Sequence, residues 1–536
     1  MNEQNQKRSK ENVDSSRRSV IKSGAILAGA GISGVIGLTS FGQSAPNANH
    51  LFNIKDFGAT GKREDKATLP VRNAIEACTK AGGGVVFAPP GEYTVGTVQL
   101  KDNVTLHLES GATFFLSQDP NDFIHGSRTM IFAENATNIA VTGRGTLDGL
   151  AQYVFTEMTD VDVEISEEIE IARKAGIDMR RYYRTGMQAY MFILNNCTGI
   201  LLQDFTLIHS PLWNIRLNDC NRVFVRGVYI YSDLEKGVNA DGIDICSTSN
   251  VTISDSVIIT ADDAIVLKTP SKKGNDTVNP IENVVVTNCI LSSSSTALMI
   301  GTETFADISH VIFSDCTIRN SNKGFGINVQ DGATVSNIIF SHLTVETNRR
   351  HWNWWGSAEL CKFVLKKRSE DSRLGKIKDV VIDTVLSHVR GTSNLKGHPD
   401  QLLENFRMNH VQLFMNPEDA KDKRATNAMV IENVNGLRIN DLTVKWNEDE
   451  LEAAWESALL MKNVTDFEIR SFSGRQGLKG DDHPAILLDT VSEGLIAESR
   501  AESGCSIFIR MKEKEKDGII LRNNNMTKAA KGIDYV

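Results

Sequence analysis

Three aspartates, Asp241, Asp262 and Asp263, are the residues of this chain whose type and spacing point most directly to chemistry. They lie in the stretch Val238–Thr269, with Asp241 and Asp262 21 residues apart. Clustered carboxylates suit general acid/base work, in which one holds a proton and another takes one from water. Crowding raises the pKa of at least one of them and keeps an acid protonated near neutral pH. A single Asp is more often an Asx-turn cap, and Asp244 and Asp255 are read that way. The trio is read as an active-site cluster.

The elements that must position it are short strands. Gly242-Ile243-Asp244-Ile245 and Ala264-Ile265-Val266-Leu267 follow the aspartates and alternate as strands do. The same unit, a polar residue followed by alternating apolar ones, starts at Gly199, Arg222, Asn250, Asn283, His310 and Asn337, in steps of 23, 28, 33, 27 and 27 residues. Steps this uneven fit a solenoid whose turns lengthen freely. The expected fold class is all-β, a right-handed parallel β-helix with an N-terminal capping helix over Leu69–Cys78. One coil per repeat would set the carboxylates side by side on one face. Asn250, Asn283 and Asn337 are expected to stack, and Cys289 and Cys316 to be neighbours inside the ladder.

Composition limits the rest. A formal charge of -9 argues against a nucleic-acid partner. Eight cysteines in 536 residues make no disulfide scaffold, and CxxC metal spacing is absent, so no metal is expected. Arg17 and Arg18 precede a weakly apolar run, Gly24–Leu38, which is too short for a membrane span. That pattern resembles a twin-arginine export signal. Residues 1–48 are read as signal and linker, and the mature chain as periplasmic or extracellular with no membrane partner. Residues 49–536 are read as one β-helix domain carrying long excursions at about 150–186 and 390–430.

The chain resembles glycoside hydrolase family 28, the polygalacturonase family. The resemblance rests on Asn239-Ala240-Asp241-Gly242 for the family's NTDG, Asp262-Asp263 for its DD, Gly143–Gly149, and Ser210–Asn214. It implies inverting hydrolysis without a cofactor. Asp262 would be the general acid, and Asp241 with Asp263 would hold the water, some 6.5 to 9.5 Å separating acid from base. Thr296 stands where the family has histidine. Gly326-Ile327-Asn328 stands where it has Arg-Ile-Lys, so the pair that would bind a galacturonate carboxylate is missing.

Lys268 and Lys323 are the candidates to supply that charge. Glu303, in Ile300–Thr304, and the stretch His351–Glu359 resemble segments of relatives that include exo-acting ones. Trp354 and Trp355 offer faces for sugar rings, and His351, Glu359 and Asn239 complete the expected substrate contacts. The expected partner is a polysaccharide or oligosaccharide, cleaved from a chain end. An α-linked galacturonide or rhamnogalacturonan-type pectic fragment leads, ahead of an algal or other cell-wall polysaccharide. A non-catalytic glycan-binding β-helix is the alternative of another class, and a calcium-dependent lyase is disfavoured for lack of a basic residue beside the carboxylates.

Overall fold

The computed structural model describes residues 50–124, 128–158, 163–179, 181–272, 277–349 and 356–536. The twin-arginine pattern and His351, Trp354 and Trp355 lie outside the described residues. Asn49–Val536 forms one unit, and nearly all its strands join a single sheet whose pairings are parallel. Within that sheet strands pair with their counterparts in the neighbouring coils, which is the parallel β-helix expected from the repeats.

The register reproduces the sequence spacing. Ile200 pairs with Val223, Val223 with Val251, Val251 with Val284, Val284 with Val311 and Val311 with Ile338. Uneven steps leave the ladder intact because the extra residues leave at the corners. Inward-facing Val, Ile and Leu form continuous buried columns, joined further on by stacked phenylalanines: Phe340 lies 5.0 Å from Phe313 and 4.5 Å from Phe325, ring centre to ring centre.

At the corners Asn250, Asn283, His310 and Asn337 all adopt the left-handed conformation, which Asn tolerates better than most residues. The asparagine stack is partial. Asn283 donates to Asn250 at 3.0 Å, and Asn250 to Asn221 at 3.4 Å, but His310 separates Asn283 from Asn337. Cys289 and Cys316 sit on adjacent coils, and all eight cysteines are buried thiols.

Helix α1, Thr68–Lys80, turns Val71, Ala74, Ile75 and Cys78 inward and packs on the first strands of the solenoid. Between coils, Phe155–Glu157 pairs antiparallel with Tyr183–Thr185, and helix α2, Val163–Lys174, lies between those strands in sequence. The stretch 390–430 is not the single long loop expected. Ser393–Lys396 and Leu403–Met415 are strands in full register with their neighbours. Only the connections around them leave the solenoid. No helix among the described residues is long and apolar enough to cross a membrane.

Candidate active site

Six strands carry the site: β1 Ile215–Asn218, β2 Ile243–Cys246, β3 Ile265–Thr269, β4 Thr296–Thr304, β5 Lys323–Val329 and β6 Glu359–Leu365. Ile215 pairs with Ile243, Ile243 with Ile265, Ile265 with Leu298, Thr296 with Lys323, and Lys323 with Glu359. Carried two residues back, that register puts Trp213, Asp241, Asp263, Thr296, Lys323 and Glu359 in one column. Successive members are about 4.8 Å apart along the solenoid. Gly242 N–H donates to the Asp263 carbonyl at 2.9 Å and Ala264 N–H to the Thr296 carbonyl at 3.0 Å, which locks the column where the aspartates stand.

The trio is assembled as expected: Asp241, Asp262 and Asp263 each present an oxygen within 4.8 Å of the others. The nearest oxygens thus approach more closely than the 6.5 to 9.5 Å expected between the acid and base carboxyl groups, because Asp262 and Asp263 are chain neighbours and Asp241 is only one coil away. Asp262 is pinned through its backbone carbonyl, which accepts from Thr260 Oγ1 at 2.8 Å and Ser293 Oγ at 2.7 Å. Its carboxylate accepts from Asp263 N–H at 2.8 Å. Burial, reinforced by the Asp263 charge, pushes the Asp262 carboxyl up to about 7. Asp263 is held in place by two donors, Ser295 Oγ at 2.8 Å and Thr296 N–H at 3.0 Å.

Lys268 lies deeper than a substrate clamp would. Its ammonium donates to Asp241 Oδ2 at 3.0 Å and Asp244 Oδ1 at 2.9 Å, and sits 4.2 Å from the centre of the Trp213 ring. Both carboxylates and the lysine are buried. Burial works against the Lys268 charge, but Asp241 and Asp244 outweigh it and hold the ammonium well above its ordinary value. One cation shared by two carboxylates cannot neutralise both. Burial and then the Asp244 charge push Asp241 up, with Lys268 pulling it back. Asp244 is therefore no turn cap: it is a strand residue in the floor of the site. Asp255 is exposed at a left-handed corner, where it accepts from Asn288 and Ser254.

Thr296 uses its N–H on Asp263, and its hydroxyl accepts from Lys323 Nζ at 3.3 Å. Glu359, next in the column, accepts from the Ser357 N–H. Glu303 is half-buried in the register shift of the β3–β4 pairing, between Ile300 and Thr304, and adds its charge to those acting on Lys268. Asn239 accepts from Arg184 Nη2 at 3.2 Å. That contact ties the Tyr183–Thr185 strand of the excursion to the loop preceding Asp241, and Lys236 lies 5.4 Å from the Tyr183 ring centre. Sequence reasoning missed Asp244, Trp213 and Arg184 as members of the site. The alternation of Gly242–Ile245, which aims Asp244 to the face opposite Ile243 and Ile245, was the available signal for the first.

A family model described as "Glycosyl hydrolases family 28" matches residues 78–429. A probable polygalacturonase of Vitis vinifera is 25% identical over 242 residues, which cover 41% of this chain and 44% of that one. A probable rhamnogalacturonase B of Aspergillus terreus is 26% identical over 252 residues, covering 46% of this chain and 40% of that one. The match thus spans less than half the length of either relative. The structure of a hyperthermoactive exopolygalacturonase from Thermotoga maritima superposes with a TM-score of 0.55 at 20% identity, over 77% of this chain and 91% of that one. At that identity the likeness speaks for the fold.

Proposed function

The chain belongs to glycosyl hydrolases family 28, and on that premise we propose that it hydrolyses an α-linked galacturonide or rhamnogalacturonan-type pectic oligosaccharide, with inversion, from a chain end. The observation that carries the reading is the carboxylate trio. Asp262, near 7, is the proton donor to the glycosidic oxygen. Asp241 and Asp263, on successive coils, hold the attacking water between them. Each is already engaged by donors, Asp241 by Lys268 and Asp263 by Ser295 and Thr296. Carboxylates so engaged are better placed to polarise a water than to attack carbon, which favours inversion despite the short separation.

The relatives named polygalacturonase and rhamnogalacturonase support a pectic substrate. The Arg184–Asn239 contact supports exo action, because the excursion comes down beside the trio and would wall off the cleft there. Arg17 and Arg18 support export to the periplasm or beyond, where such a polymer is met.

The test is product analysis of wild type beside Asp262→Asn on pectic and algal oligosaccharides, following the anomeric proton by NMR. A monosaccharide released with inverted configuration, and lost in the variant, supports the reading. Retained configuration would make one aspartate a nucleophile. Unsaturated products would mean a lyase, and binding without turnover would mean a glycan-binding protein.

A further inference from the structure

Lys323 is a buried ammonium that the mechanism above does not use. It is 5% exposed, and among the described residues its one hydrogen-bond partner is a neutral oxygen, Thr296 Oγ1 at 3.3 Å. An ammonium has three donors, so two are unspent. Glu359 is its register partner, but that carboxylate is turned to the Ser357 N–H, and no ion pair joins it to Lys323. Lys268, by contrast, is saturated by two carboxylates. A desolvated cation whose nearest carboxylates make no contact ion pair with it among the described residues is costly unless something supplies one.

The surroundings make room for this lysine. A Cβ at Gly326 would lie 2.8 Å from the Lys362 carbonyl oxygen, so the backbone of the next coil leaves no space for a side chain there, and the Lys323 stem runs alongside, its Cδ 3.6 Å from that point. Thr296, small and in the same column, meets the ammonium with its hydroxyl at 3.3 Å. The Lys323 ammonium thus lies one coil beyond Thr296, with the charges of Asp263 and Asp262 on the preceding coils and those of Glu359 and Lys362 on the next. Burial pushes the Lys323 ammonium below its ordinary value, with Glu359 opposing. An arriving anion would therefore meet a cation whose water has already been removed.

We propose that Lys323 is the anion receptor of this site and takes the carboxylate of the uronic acid residue seated beside the aspartate trio. The inference rests on the pectic reading above and deepens it: the substrate is a uronide, recognised from β5's first residue instead of from its outward-facing middle.

The test measures binding without turnover, by calorimetry, in an Asp262→Asn background. The probes are an α-linked galacturonic acid trimer and the same trimer with its carboxyls reduced. Asp262→Asn alone is expected to bind the acid at least ten-fold tighter than the reduced form. Adding Lys323→Met should reduce that preference at least ten-fold, and Lys323→Arg should restore part of it. Thermal melts of each variant confirm that it is folded. A preference unchanged by Lys323→Met overturns the inference, as does an equal loss of affinity for both trimers. If Asp262→Asn binds neither trimer and wild type cleaves neither, the pectic reading and the Lys323 inference fall together. If wild type cleaves the acid while Lys323→Met keeps the preference, only the inference falls.

Discussion

As the proposed proton donor Asp262 would act in its protonated form, so activity is expected to fall as pH rises through about 7. Asp262→Asn should lower kcat about a thousand-fold, in the middle of the range for a lost general acid. The same carboxyl bears on stability. Its folded pKa is raised above the unfolded one, so its contribution is complete below about 4, the ordinary range of an Asp side chain, and is lost as pH climbs toward 7. The Tm advantage of Asp262→Asn over wild type should therefore widen between pH 4 and pH 8; a constant difference would argue against a buried, protonated acid. Lys268→Met leaves Asp241 and Asp244 facing each other without their shared cation. It should destabilise by about 3–5 kcal/mol in urea unfolding, the usual cost of stranding a buried charge, and a loss below 1 kcal/mol would mean that the three groups are solvated.

At the scale of elements, the excursion carrying α2 should control where the polymer is cut. Replacing residues 155–185 by a short Gly-Ser turn removes the Arg184–Asn239 contact and is expected to shift early products from monosaccharide to longer oligosaccharides, read by chromatography. An unchanged profile would place the wall elsewhere. This element also marks where the sequence ceased to be legible. The five steps from Gly199 to Asn337 reappear residue for residue in the pairing, because a period-2 pattern repeated coil after coil has one self-consistent register. The stretch 390–430 was misread because its inward residues, Leu395, Phe406, Met408, Val411 and Leu413, are interleaved with Asn, Arg, His and Gln around a His-Pro-Asp turn. Polar outward residues hid strands whose inner face is, Ser393 apart, apolar. Asp241, Asp262 and Asp263 were legible because short motifs carry them. Arg184 was not, because its partner lies 55 residues away and only the fold brings them together. Asp244 and Lys268 are 24 residues apart, and only the pairing of β2 with β3 brings the one to the other.

For the whole molecule, the first coil is the exposed end that α1 covers, and an uncovered sheet end invites pairing with another chain. A chain lacking residues 50–80 is expected to form soluble oligomers or aggregates in size-exclusion chromatography with light scattering, whereas a monomer would show that the cap is dispensable. The column running from Trp213 to Glu359 has a further consequence. Its members are separated along the chain by 28, 22, 33, 27 and 36 residues, yet along the solenoid each lies a single strand spacing from the next. Insertions and deletions at the corners can thus reshape the cleft's walls without displacing its floor. Lineages sharing this scaffold are free to exchange specificity by indel, and to keep their catalytic geometry while doing so.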